Sequence, residues 1–315
     1  MVFEHTRSQK DLLSFALVCR GWTEWALDMR WRRCDVPISA IVHPLLSMVG
    51  ESSSITPSLA GIELRVIIFA SQEPTWRLSL TDEEWAAFMA LSTKVTSVTC
   101  DSRLPSGLST LLEIRLKTLG PSDEKPFQRV RKFTAFLSQT DRWIAFLVRD
   151  LAALSSYKLC GERPPNDPFA ILSEVVEKTS TITNLEIDLP HLWYIPDLGS
   201  ISQLQRLSCR RLDIPLDWWN NLSQCKKLSD LRLEGTLRRG SEVNYLEEEL
   251  ASEVATFPAL RRLLLDAREW NVTVLILNSR FPILEYLSFG SCSLSAGEME
   301  QVRMHLSDCS PHLRL

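Results

Sequence analysis

The sequence predicts an α/β fold, a solenoid of stacked strand–helix repeats bent into an irregular horseshoe with a parallel sheet, preceded by a short all-α segment. Three observations predict it. One apolar hexapeptide pattern recurs five times from Ile182 onward. The stretches between its copies carry helical apolar spacing and helix-capping residues. The chain ahead of about residue 35 carries apolar residues at helical spacing.

The repeat is an apolar residue, any two, an apolar residue, any one, and an apolar residue. It appears as ITNLEI (Ile182, Leu185, Ile187), LQRLSC (Leu204, Leu207, Cys209) and LSDLRL (Leu228, Leu231, Leu233). It returns as LRRLLL (Leu260, Leu263, Leu265) and LEYLSF (Leu284, Leu287, Phe289), with VTSVTC (Val95, Val98, Cys100) as an earlier copy. Successive starts from Ile182 are 22, 24, 32 and 24 residues apart, within or near the period of leucine-rich repeats. The last copy continues through Cys292 and Leu294. Each copy ends in an alternating step, which turns every second side chain inward on a strand. One repeat cannot cover its own apolar face, so stacking supplies the core. Between about Gly107 and Pro165 the period blurs and irregular repeats are expected.

The connecting segments read as helices. Ser241 to Phe257 carries Val243, Leu246, Leu250 and Val254 at helical spacing. Asp167-Pro168 supplies a cap and a first-turn proline for the segment that follows. Thr81-Asp-Glu-Glu84 and Ser295-Ala-Gly-Glu298 both have capping-box spacing. The expected organisation is therefore helices over 1–35, a linker over 36–58 that turns small and polar at Gly50 to Pro57, and a solenoid over 59–315 closed by a helical cap.

Composition excludes several functional classes. The net charge is −4, from 35 basic and 39 acidic residues, without the basic excess of a nucleic-acid binder. No run is long and apolar enough for a membrane span, and the start MVFEHTRSQK lacks the apolar core of a secretory signal. Eight cysteines without a CxxC pair fit a reducing compartment, the cytoplasm or nucleus. No phosphate-cradling loop, HExxH or GxSxG motif is present, so the expectation is no catalytic residue, no metal and no cofactor. Cys292, His305, Cys309 and His312 approach a zinc spacing, but Cys292 fills a buried repeat position. Glu247-Glu248-Glu249 would splay apart on a helix as a solvated face.

The stretch DLLSFALVCRGW, Asp11 to Trp22, carries apolar residues on adjoining helical faces, Leu12 and Cys19 on one, Leu13 and Leu17 on the next. From spacing alone it serves equally as a terminal cap of the solenoid or as a docking surface. Asp11-Leu12-Leu13, Leu17-Val18-Cys19-Arg20 and Trp22 resemble the second half of an F-box, and Val2-Phe3-Glu4-His5 resembles the end of its first helix. Ala26-Leu27-Asp28, Trp31-Arg32 and Leu80 to Trp85 are similar to F-box proteins of mushroom-forming fungi with leucine-rich-repeat-like C-terminal regions. The Leu-Pro that usually opens the box would fall ahead of Val2, so the box is N-terminally incomplete: either upstream coding sequence supplies the rest or that part is lost.

The resemblance implies docking on a Skp-type adaptor, and through it on a cullin of an SCF-type ubiquitin ligase, while the repeats hold a protein substrate. The chain would be a substrate-recognition subunit without an active site of its own. Carried over residue by residue, adaptor binding falls to Phe3, Leu12, Leu13, Leu17, Val18, Arg20 and Trp22. The alternative is a repeat scaffold that no longer docks.

For the repeats, the residues between core positions form three rows on the concave surface. The first is Asn184, Arg206, Asp230, Arg262, Tyr286; the second Glu186, Ser208, Arg232, Leu264, Ser288; the third Asp188, Arg210, Glu234, Asp266, Gly290. Alternating signs suit either a partner face or a ladder of cross-strand pairs such as Arg206–Asp230–Arg262. The expected substrate contacts are Arg206, Arg232, Arg262, Leu264 and Tyr286. No nucleic-acid or membrane partner is expected.

Overall fold

A computed structural model describes residues 32, 35–38, 41, 81–100, 106–119, 124–136, 151–161, 181–192, 198, 201–213, 216–236, 254–267, 272–292 and 294–313. The docking residues expected between Phe3 and Trp22, the loop at Gly50 to Pro57 and the helix expected after Asp167-Pro168 lie outside them.

The strands in chain order are β1 (Val36–Pro37), β2 (Ser97–Cys100), β3 (Lys132–Phe136), β4 (Ser156–Cys160), β5 (Asn184–Leu192), β6 (Arg206–Asp213), β7 (Asp230–Thr236), β8 (Ala255–Thr256), β9 (Arg262–Ala267), β10 (Ser279–Arg280) and β11 (Tyr286–Phe289). Nine of them form one sheet in the order β1-β2-β3-β4-β5-β6-β7-β9-β11, every pair parallel. Strands β8 and β10 form a second, two-stranded parallel ladder. Spatial order follows chain order throughout the large sheet, which is the topology of a solenoid. The helices are α1 (Asp82–Ser92), α2 (Ser106–Thr118), α3 (Leu216–Ser223), α4 (Val272–Leu277) and α5 (Ala296–Cys309).

The hexapeptide positions become ladders of buried side chains. Its first position is held by Val95, Val130, Leu154, Ile182, Leu204, Leu228, Leu260 and Leu284, all buried. Its third-from-last runs through Val98, Phe133, Tyr157, Leu185, Leu207, Leu231 and Leu263, and its last through Cys100, Ala135, Leu159, Ile187, Cys209, Leu233 and Leu265. A fourth ladder lies three residues ahead of the first: Phe127, Leu151, Ile201, Cys225, Phe257 and Phe281 are buried, and each accepts a backbone hydrogen bond from the first-position residue. Each tight turn so formed aims the chain into its strand. At Phe257-Pro258 and Phe281-Pro282 a proline presets it.

The blurred region thus holds two regular strands, β3 and β4, whose template positions are Val130-Phe133-Ala135 and Leu154-Tyr157-Leu159. The rings of Phe133 and Tyr157 stack at 5.9 Å between centroids. Among the described residues the sheet starts at Val36, inside the stretch expected as a linker, with Val36, Ile38 and Ile41 in the core. Of the helix expected over Ser241 to Phe257, residues 241–253 lie outside the described ones and the last part is not helical: Ala255–Thr256 is strand β8, paired with Ser279–Arg280, and Val254 is exposed. Backbone pairing there outweighs the helical spacing of a single valine.

Helices close the other side of the core. Both predicted capping boxes form: Glu84 N–H donates to Thr81 Oγ1 at 3.2 Å and Thr81 N–H to Glu84 Oε2 at 2.7 Å. Ser295 and Glu298 repeat the exchange at 3.3 and 2.8 Å. Helix α1 buries Trp85, Phe88 and Met89, with Phe88 edge-on to Phe127 at 5.7 Å. Helix α3 buries Trp218 and Trp219; Trp219 is tilted against Phe257, which stacks on Phe281, with centroids 4.9 and 5.6 Å apart.

Candidate functional site: the open face of the sheet

In a strand, residues flanking a buried position point to the opposite face. Here the buried ladders claim one face, so the intervening residues of β3 to β11 share the other. The pairing register aligns them as three rows. Row one reads Lys132, Ser156, Asn184, Arg206, Asp230, Arg262, Tyr286. Row two reads Thr134, Lys158, Glu186, Ser208, Arg232, Leu264, Ser288. Row three reads Phe136, Cys160, Asp188, Arg210, Glu234, Asp266, then Gly290 beside Asp266. From β5 onward these are the rows read in the sequence.

Rows one and two floor a shallow groove of about 460 Å³. Among its lining residues are Lys132, Lys158, Arg206, Arg210, Arg232 and Arg262, against the two acids Glu186 and Asp230. Of the five expected substrate contacts, Arg206 (β6), Arg232 (β7), Arg262 and Leu264 (β9) line it together. Tyr286 (β11) lies at its end, exposed, with the Arg262 guanidinium 5.6 Å from its ring centroid. Lys132 and Lys158 were not expected. Lys132 precedes Phe133 and Lys158 follows Tyr157, so both flank a template position filled by an aromatic residue.

The ion pairs differ from a simple alternating ladder. Lys158 meets Glu186 at 2.6 Å and Arg262 meets Asp230 at 3.8 Å across neighbouring strands. Arg232 instead reaches along its own strand to Glu234, which Arg210 also approaches at 3.5 Å. One carboxylate therefore faces two guanidiniums. Lys132 turns to the sheet margin, 2.9 Å from Asp35. Arg206, exposed, forms no ion pair among the described residues; the expected Arg206–Asp230 contact is replaced by Arg262–Asp230.

Strand starts are tied by hydroxyls. Thr183 Oγ1 donates to Ser155 O at 3.0 Å, Ser155 Oγ to Arg131 O at 3.1 Å and Ser229 Oγ to Gln205 O at 3.1 Å. These bonds hold neighbouring strands in the register on which the rows depend.

The C-terminal cysteine and histidine group does not converge. Cys292 Sγ–H donates to Leu265 O at 3.4 Å, His305 Nε2 lies 2.8 Å from Ser279 O, and Cys309 Sγ is 3.6 Å from Ser310 Oγ. Among the described residues no group of three or more His, Cys, Asp and Glu side chains is placed to hold a metal ion. No disulfide joins the described cysteines, and Cys100, Cys160, Cys209 and Cys225 are buried. Burial pushes the Cys209 thiol far above its ordinary value, so it stays protonated as a small apolar group. No described helix is long and apolar enough to cross a membrane.

The chain matches no protein-family model, and no curated protein matches its sequence.

Proposed function

We propose that this chain is a protein-recognition subunit, an F-box-type substrate receptor of an SCF-type cullin–RING ubiquitin ligase. Its N-terminal helices dock on a Skp-type adaptor, and its repeat sheet, of the leucine-rich type, holds a protein substrate. It acts by binding, and ubiquitin transfer belongs to other subunits. The supporting observation is the broad, open, charged face in rows one and two: a shallow groove running over strands β3 to β9 suits an extended macromolecular surface. The half-box from Asp11 to Trp22 supplies the adaptor side of the reading. Burial of a leucine there would contribute ~1.5–3 kcal/mol.

A scaffold that shares the sheet but does not dock is the second reading, since the open charged face needs no adaptor to bind a partner. Co-purification with a Skp-type adaptor separates the two. Capture that Leu12→Asp with Leu17→Asp abolishes supports the receptor. A folded chain that is not captured supports the scaffold.

A further inference from the structure

The charges of the open face are sorted by row. Row one carries Lys132, Arg206 and Arg262 against Asp230, and row two Lys158 and Arg232 against Glu186. Row three reverses the balance, with Asp188, Glu234 and Asp266 against Arg210 alone. Residues two apart along a strand are ~6.6 Å apart, so a positive band and a negative band run side by side across the strands. Pairing leaves the positive band in excess at its centre. Arg206 has no ion-pair partner among the described residues, and Arg210 and Arg232 share Glu234.

We propose that this band binds an extended acidic segment of a partner protein. The segment lies across β3 to β9 with a carboxylate on Arg206 at the centre, and an apolar side chain rests against Leu264 and Tyr286 at the far end. The inference rests on the recognition role proposed above for this face and adds the chemistry of what it recognises.

The dimensions agree. Five strand-to-strand steps separate β3 from β9. At ~4.8 Å each they span ~24 Å, which about seven extended residues cover. Guanidiniums fork onto carboxylates in bidentate fashion, and the unpaired Arg206 gives up no existing pair to do so. The apolar end is fixed by Leu264, half-buried between Arg232 and Ser288 in its row, and by the exposed Tyr286 ring. A nucleic-acid strand fits the face less well. Its charge recurs at every nucleotide, and phosphates spreading beyond the positive band would meet Asp188, Glu234 and Asp266. Localised carboxylates avoid that repulsion.

The test pans a random peptide-display library of about seven residues against the full chain and against Arg206→Glu. Circular dichroism melts establish that both fold. The expected result is enrichment of Asp- and Glu-rich peptides on the wild type and their loss on the variant. A labelled synthetic copy of an enriched peptide should then lose affinity roughly tenfold on Arg206→Glu, weaken as salt is raised, and be unaffected by Arg303→Gln on α5. Apolar or basic peptides that still require Arg206 would overturn the acidic class while leaving the recognition role standing. Enrichment indifferent to Arg206 would overturn the inference outright, as would a single-stranded thymidine oligonucleotide that displaces the acidic peptide and binds more tightly. Adaptor capture is a separate measurement, so failure of ligase docking is told apart from each of these.

Discussion

Trp219 Nε1–H donates to Ser279 Oγ at 2.9 Å, joining α3 to β10 across 60 residues of chain. Both residues are buried, and Ser279 Oγ–H passes the bond on to Leu275 O at 2.6 Å. The indole is thereby fixed against Phe257, the first ring of the stack under the last repeats. A buried donor stripped of its acceptor costs the desolvation of that donor, more than the bond itself contributes. Ser279→Ala should therefore destabilise the chain by ~1–3 kcal/mol in urea unfolding. Trp219→Phe in the same background should lose less than the sum of the two single changes, since no orphan donor is left.

Gly290 shows a constraint of another kind. A Cβ there would lie 2.4 Å from Asp266 Cγ and 2.8 Å from Asp266 Cβ. The two meet because Gly290 N–H donates to Leu265 O at 2.8 Å and Ser291 N–H to Asp266 Oδ1 at 2.7 Å, drawing the end of β11 onto β9. Gly290→Ala must displace Asp266 and break that contact. Overpacking of this order costs ~1–3 kcal/mol, readable as a lower thermal midpoint. Asp266→Ala should recover part of the loss in the double variant.

Much of this arrangement is visible in the sequence, and the reason is the period of two. Once Leu231 and Leu233 are assigned inward, Asp230, Arg232 and Glu234 must face outward, and stacking of identical templates sets their neighbours. That logic extends to β2 through Val95, Val98 and Cys100. It applies equally to β3 and β4, where Val130, Phe133 and Ala135 and then Leu154, Tyr157 and Leu159 satisfy the same apolar template, but the 35-residue step from Val95 to Val130 and the aromatic fillings obscured the period there. It missed β1 and β8 because a two-residue strand has no period. The choice of ion pairs was not legible at all. Asp230 can face Arg206 or Arg262 at equal strand spacing, and only the side-chain conformations decide for Arg262.

The hydroxyl ties at the strand starts should each be worth little. Ser155 O accepts from Thr183 N–H at 2.9 Å and Asn184 N–H at 3.0 Å as well as from Thr183 Oγ1. Replacing Thr183 by valine keeps the shape and leaves the carbonyl satisfied. The expected loss is at the low end of a single hydrogen bond, ~0.5 kcal/mol, and a denaturant midpoint shifted by more would assign Thr183 a larger role.

The cap of α5 carries a pH dependence of defined sign. Hydrogen bonds from Ser295, through its hydroxyl first and its backbone N–H second, hold the Glu298 carboxyl below its ordinary value of 4.5. A folded-state value below the unfolded one means stability that is present above the unfolded value and is lost as pH falls through the folded one. Wild type should therefore exceed Glu298→Ala in thermal midpoint at neutral pH. The margin should shrink as pH drops below 4.5, and a margin that grows on acidification would refute this account of the cap.

Position in the stack should decide the cost of core truncation. Leu231 and Leu287 occupy the same template slot, but Leu231 is flanked by Leu207 and Leu263, whereas Leu287 pairs, among the described residues, with Leu263 alone and is partly buried. Leu231→Ala leaves a cavity closed on both sides by neighbouring repeats, where collapse is hindered, and should cost ~2–5 kcal/mol. At Leu287 the last strand can shift to fill the gap, and part of the side chain already meets solvent. Its truncation should fall at or below the lower end of that range. Chemical denaturation of the two variants measures the difference directly. Equal losses would mean that α5 packs the terminal repeat as tightly as a further strand would.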